Sequence, residues 1–146
     1  MRKCGILLLV LLLGLSLSVS CRQKEPLAPE EPYAVLLTPS EGSTISAGDI
    51  EVRVFLQNFT ITENSGVPNK PNTGHVIYYL DVDAPLTYGT AATTAPGTYA
   101  ISTSTSFTWK NVPVGEHTFT VQLVNNDNTP LLPPTAVRAN VTVRAR

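Results

Sequence analysis

The sequence predicts an all-β fold, an antiparallel β-sandwich of about seven strands. Three observations predict it. Apolar and polar residues alternate along several stretches, turn residues separate those stretches, and nothing after the N-terminal segment has helical spacing.

The first strand is expected over Tyr33–Thr38, before the turn signals "SEG" and "SAGD". The second, Ile50–Phe59, places Ile50, Val52, Val54 and Leu56 on one face and Glu51, Arg53 and Gln57 on the other. The third, His75–Val82, is nearly continuous in apolar residues and reads as a buried strand closed by carboxylates. Thr98–Ser102 and Ser106–Lys110 follow, the latter bringing Phe107 and Trp109 as core aromatics. After "NVPVGE" comes His117–Val124, with Phe119, Val121 and Leu123 inward and Thr118, Thr120 and Gln122 toward solvent. "NNDNTPLLPP" reads as the turn before the last strand, Ala136–Arg144, where Val137, Ala139, Val141 and Val143 oppose Arg138, Asn140, Thr142 and Arg144. Seven short strands in a segment of this size point to an immunoglobulin-like sandwich, with a small β-barrel as the alternative.

The N-terminus is of another kind. "MRKCGILLLVLLLGLSLSVS" has a basic start, an aliphatic run and small residues, the layout of an export signal over residues 1–20. Its apolar stretch, Gly5 to Val19, is shorter than the roughly 20 residues a bilayer core needs, so cleavage is expected. Cleavage removes Cys4 and leaves Cys21 as the sole thiol, at the head of a 126-residue chain that can form no internal disulfide. Residues 21–32 run "CRQKEPLAPEEP", too polar and proline-rich to pack a core. Extended at ~3.1 Å per residue, such a tether could hold a domain roughly 30 Å from its attachment point. Residues 33–146 then form one domain with a real core.

"LSVSC" resembles the lipobox of bacterial lipoproteins. The resemblance implies acylation of Cys21, a palmitate-type anchor on the extracytoplasmic side of the cell membrane, and no other cofactor. Ser18 stands where the lipobox usually has leucine, with Leu17 one residue further back. Ser18-Val19-Ser20 would also suit the general signal peptidase. Each buried methylene adds ~0.8 kcal/mol of membrane affinity, so two or three acyl chains would anchor the protein stably.

Further on, "LLTPSEGSTISAGDIEVRVFLQNF" resembles the first strands of bacterial cell-surface Ig-like domains. "GHVIYYLDVD" and "FTWKNVPVGEHTFTVQLVNNDNTPL" resemble uncharacterised exported domains with Gly-His-x-His and Pro-Gly-x-His motifs. Their histidines suggest a metal site, because imidazole is a common ligand for copper or zinc. This chain keeps His75, His117 and Asp127 and has Ile77 and Asn128 where further histidines would fall. Asp81 and Asp83 complete the candidate metal ligands. In a sandwich His75 and His117 begin antiparallel neighbours, which sets them roughly 20 Å apart at ~3.3 Å per residue. His75 is then expected near the Asn125–Asn128 loop and His117 near Asp81 and Asp83, each able to serve structurally.

Without the signal, eight basic residues face eleven acidic ones, a net charge of −3 with no basic cluster, so nucleic acid is not an expected partner. The sequence has no Gly-x-Ser-x-Gly elbow, phosphate loop or His-Glu-x-x-His motif, so no enzymatic activity is expected. Two long connections, Thr62–Gly74 and Ala84–Thr98, are the candidate binding surfaces, and Tyr88 is the exposed aromatic among them. The expected function is a membrane-anchored, non-catalytic Ig-like module that binds an envelope protein or glycan or serves the envelope structurally. A periplasmic metal- or small-ligand-binding protein using His75 or His117 is the alternative.

Overall fold

The computed structural model describes residues 30–63 and 67–146. The expected export signal, Cys21 and all but the last three residues of the expected tether lie outside the described residues. Those residues contain no helix and nine strands: β1 (Tyr33–Thr38), β2 (Thr44–Ser46), β3 (Gly48–Gln57), β4 (Thr60–Ile61), β5 (Thr73–Leu80), β6 (Tyr99–Ser102), β7 (Ser106–Val112), β8 (Gly115–Val124) and β9 (Pro130–Arg144). They form two sheets of an Ig-like sandwich. The smaller has the order β1-β3-β7; the larger has the order β2-β9-β8-β5, with β4 and β6 sharing the outer edge of β5.

Alternation builds the main core. On β3, Ile50, Val52 and Val54 are buried and Glu51, Arg53 and Phe55 are exposed. They meet Val76, Tyr78, Phe119, Val121, Leu123, Val141 and Val143 from the larger sheet. A buried side chain of this kind contributes about 1.5–3 kcal/mol. Phe107 bridges the sheets. Its ring stacks on Tyr78 at 5.6 Å between centroids and meets Trp109 edge-on at 5.1 Å.

Three sequence expectations need correction. The short strands β2 and β4 were not anticipated; each pairs in parallel, with β9 and β5. Two and three residues are too few to show a period. The "TPLLPP" segment is not a turn, because β9 begins at Pro130 and Val124 already pairs with it. Its prolines stand before the regular ladder from Thr135 onward, where they cost few hydrogen bonds. The third correction concerns exposure. Thr120 and Gln122 were expected to face solvent but are buried. The segment between β5 and β6 lies over the outer face of the larger sheet and forms a second core of Ile77, Tyr79, Ala92 and Val124, flanked by Val82, Ala84 and Tyr99.

Candidate functional site

The β5–β8 pairing positions both histidines. His75 pairs with Val124 and Leu80 with Phe119, so His75 and His117 lie toward opposite ends of the ladder. Gly74 lets the strands approach this closely at the His75 end. A Cβ there would lie 1.8 Å from the carbonyl oxygen of Val124.

His75 is fully buried, and its Nε2 meets Oδ1 of Asn128. As the amide oxygen only accepts, Nε2 is the donor in that contact. Among the described residues its Nδ1 has no hydrogen-bond partner. Asn128 adopts φ 64°, a left-handed conformation that asparagine tolerates. Its carbonyl accepts from Ala92 N–H at 2.7 Å. The His75 end of the ladder is thereby tied to the covering segment.

His117 lies between Asp81 and Pro113. Nδ1 is 2.7 Å from Asp81 Oδ2, and Nε2 is 3.0 Å from the Pro113 carbonyl. Both partners are acceptors, so both contacts are hydrogen bonds only when both ring nitrogens are protonated. Asp81 also accepts from Thr118 N–H at 2.9 Å. With φ 57°, Asp81 turns the chain out of β5 and clips that turn to the start of β8.

The candidate metal ligands therefore occupy separate places. Asp81 joins His117, whereas Asp83 is exposed beside Arg138 in a shallow hollow. Asp127 sits in the β8–β9 loop at the His75 end, where Thr129 Oγ1 donates at 2.6 Å and Asn69 Nδ2 at 2.8 Å. These bonds, the Thr129 hydroxyl first, hold its carboxyl below the ordinary value. Among the described residues no three His, Cys, Asp or Glu side chains converge.

The covering segment carries the other candidate, Tyr88. A buried polar network fixes the segment on both sides of it. Gln122 Nε2 donates to the Pro85 carbonyl at 2.8 Å. The Tyr79 hydroxyl lies 2.6 Å from the Ala92 carbonyl and 2.7 Å from Gln122 Oε1. Burial raises the Tyr79 hydroxyl far above its ordinary value, which keeps the donor proton in place. Between these anchors Tyr88 is 64% exposed. It lines a groove of ≈ 460 Å³ together with Asn69, Asn72, Asn125, Leu132 and the tether residues Glu31 and Pro32. The Glu30–Pro32 stretch is held there by Asn72 Nδ2, which donates to the Glu30 carbonyl at 2.8 Å, and by Asn58 Nδ2, which donates to Glu30 Oε2 at 3.0 Å. Sequence reasoning singled out Tyr88 but not Asn72, Asn125 or Leu132. Asn72 and Asn125 carried no signal beyond membership of polar connections, and Leu132 stands in the proline-rich start of β9.

No family model and no curated protein matches the chain. Solved structures do. One is an engineered protein, at 13% identity and TM-score 0.44, covering 80% of this chain and 21% of that one. Another comprises the fibronectin(III)-like modules of Clostridium thermocellum CbhA, at 11% identity and TM-score 0.46, covering 79% of this chain and 47% of that one. A third is the PKD domain of human KIAA0319, at 17% identity and TM-score 0.39, covering 84% of this chain and 90% of that one. The chain thus spans less than half the length of the first two. These similarities concern shape; strand order and register define the sandwich here.

Proposed function

We propose that this chain is an exported lipoprotein, acylated at Cys21, that holds one non-catalytic Ig-like binding module outside the cytoplasmic membrane. The observation that supports the reading is the order of features along the sequence and where its described part ends up. A lone cysteine stands at the signal junction, the proline-rich tether follows, and that tether runs into the groove wall at Glu31 and Pro32. The site's chemistry supports binding over catalysis. Asp81 and His117 are engaged with each other and with backbone groups, an arrangement that fixes a turn.

Labelling with a clickable palmitate analogue tests the anchor. Wild-type protein is expected to take the label and partition with membranes. Cys21→Ala should lose the label and become soluble. An unlabelled, soluble wild-type protein would overturn the anchor. The metal reading would be restored by a rise in melting temperature with copper, zinc or calcium that disappears in His75→Ala or His117→Ala.

A further inference from the structure

The groove at the tether end is chemically one-sided. Apolar surface comes from Leu132, which is 72% exposed, from Pro71 and Pro133, and from the Tyr88 ring. Its polar rim is made mainly of acceptors. Asn125 spends its amide nitrogen on the Thr129 and Pro130 carbonyls and the Thr129 hydroxyl. Asn72 gives one of its two amide hydrogens to the Glu30 carbonyl. Both amides are thereby fixed in orientation, and among the described residues neither side-chain oxygen has a hydrogen-bond partner. Glu31 adds a carboxylate, and among the described residues no Lys, Arg or His lines the groove. Asn69 is not available, because it is bonded to Asp127 through both its amide nitrogen and its oxygen.

This rim selects among ligand classes. Anions find no cation and meet Glu31. A proline-rich peptide offers carbonyls without N–H groups, so it needs donors from its receptor, and the groove side chains offer few, the Tyr88 hydroxyl and the second Asn72 N–H. A sugar hydroxyl can donate to each fixed acceptor, while the C–H face of a pyranose ring packs on an aromatic and aliphatic wall. The ≈ 460 Å³ volume lies within the roughly 300–1,000 Å³ of small-ligand sites. The amides and the Tyr88 segment are held before any ligand arrives, which lowers the ordering cost of binding.

We infer that this groove seats a short run of a neutral glycan, with a sugar ring against Tyr88 and hydroxyls donating to Asn72, Asn125 and Glu31. The inference rests on the binding-module reading above and names its ligand class. The test is a titration of the full chain, purified in detergent, with neutral cello-, xylo-, malto- and chito-oligosaccharides, followed by calorimetry and amide NMR. At least one series should bind, with shifts at Asn72, Tyr88 and Asn125. Tyr88→Ala should weaken that binding about tenfold, the scale of one lost aromatic contact, with Tyr88→Phe close to wild type. Tyr88→Ala should also leave the melting temperature unchanged, because the side chain is mostly exposed. The inference is overturned if no neutral series binds, if Tyr88→Ala binds like wild type, or if a polyanionic glycan or proline-rich peptide binds more tightly. Palmitate labelling reads out separately. A labelled protein that binds no sugar faults this inference alone, and an unlabelled one that binds sugar faults only the anchor.

Discussion

The two sheets treat their outer faces differently. On the smaller sheet that face is bare: Tyr33, Leu37 and Phe55 are each more than half exposed, beside the charged Glu51 and Arg53. On the larger sheet Ile77, Tyr79 and Gln122 have no exposure at all, because the segment between β5 and β6 covers them. The strand sequences account for much of this. β3 alternates and can leave one face in water. β5 is apolar on consecutive positions and requires partners on both faces. The polar network of Tyr79, Gln122, Pro85 and Ala92 then gives the cover one fixed seat, where apolar contact alone would permit several.

The sharpest test compares one aromatic from each face. Tyr79→Ala should cost about 3–5 kcal/mol, because it opens a cavity in the second core and strands the Gln122 oxygen and the Ala92 carbonyl. Phe55→Ala should stay within about 0.5 kcal/mol, since the ring is already in water on one side. Urea denaturation of the two variants measures the difference. Equal losses would mean that the smaller sheet's outer face is also covered in solution.

A smaller effect separates polar from apolar holding of the cover. Gln122→Leu keeps the volume but leaves the Tyr79 hydroxyl with one acceptor fewer and the Pro85 carbonyl without its donor. The expected cost is about 1–3 kcal/mol, the desolvation penalty of buried groups left unpaired. Combined with Tyr79→Phe it should be clearly non-additive, because both substitutions break the same network. Additive losses would show that the two side chains act independently and that apolar burial alone seats the segment.

These differences mark what the sequence could show. β1 and the alternating β3 and β9 were legible because period two survives in a single strand, as with Val52 and Val54 against Glu51 and Arg53. The burial of β5 was legible too, in the run from Val76 to Tyr79. What covers it was not, because Ala92 and Pro85 bond through their backbone carbonyls, to which side-chain pattern is blind. Gln122 sits at an outward position of β8 and carries no mark that distinguishes it from a solvated glutamine. The groove was illegible for a similar reason. Tyr88, Asn72 and Asn125 come from three separate connections and Leu132 from the start of β9, and only the register of β5, β8 and β9 brings them to one end.

The smallest expected effect is a pH dependence confined to one side of the comparison. Asp127 belongs to the loop whose Asn128 carbonyl accepts from Ala92 N–H, so it supports one pin of the cover. Hydrogen bonds from Thr129 and Asn69 lower its folded pKa below the unfolded value. The sign follows from linkage. A depressed carboxyl contributes its stability in full above the unfolded pKa, and loses it progressively as pH falls through the folded pKa. The contribution is small, because the carboxylate is largely exposed and solvent screens it. In amide and carboxyl NMR, Asp127 should therefore titrate below an unstructured aspartate. Ala92 and Asn128 should follow its midpoint, and Phe55 on the bare sheet should not. Were Ala92 to stay fixed while Asp127 titrates, the loop would not be a pin of the cover, and the seat of the segment would rest on Tyr79 and Gln122 alone.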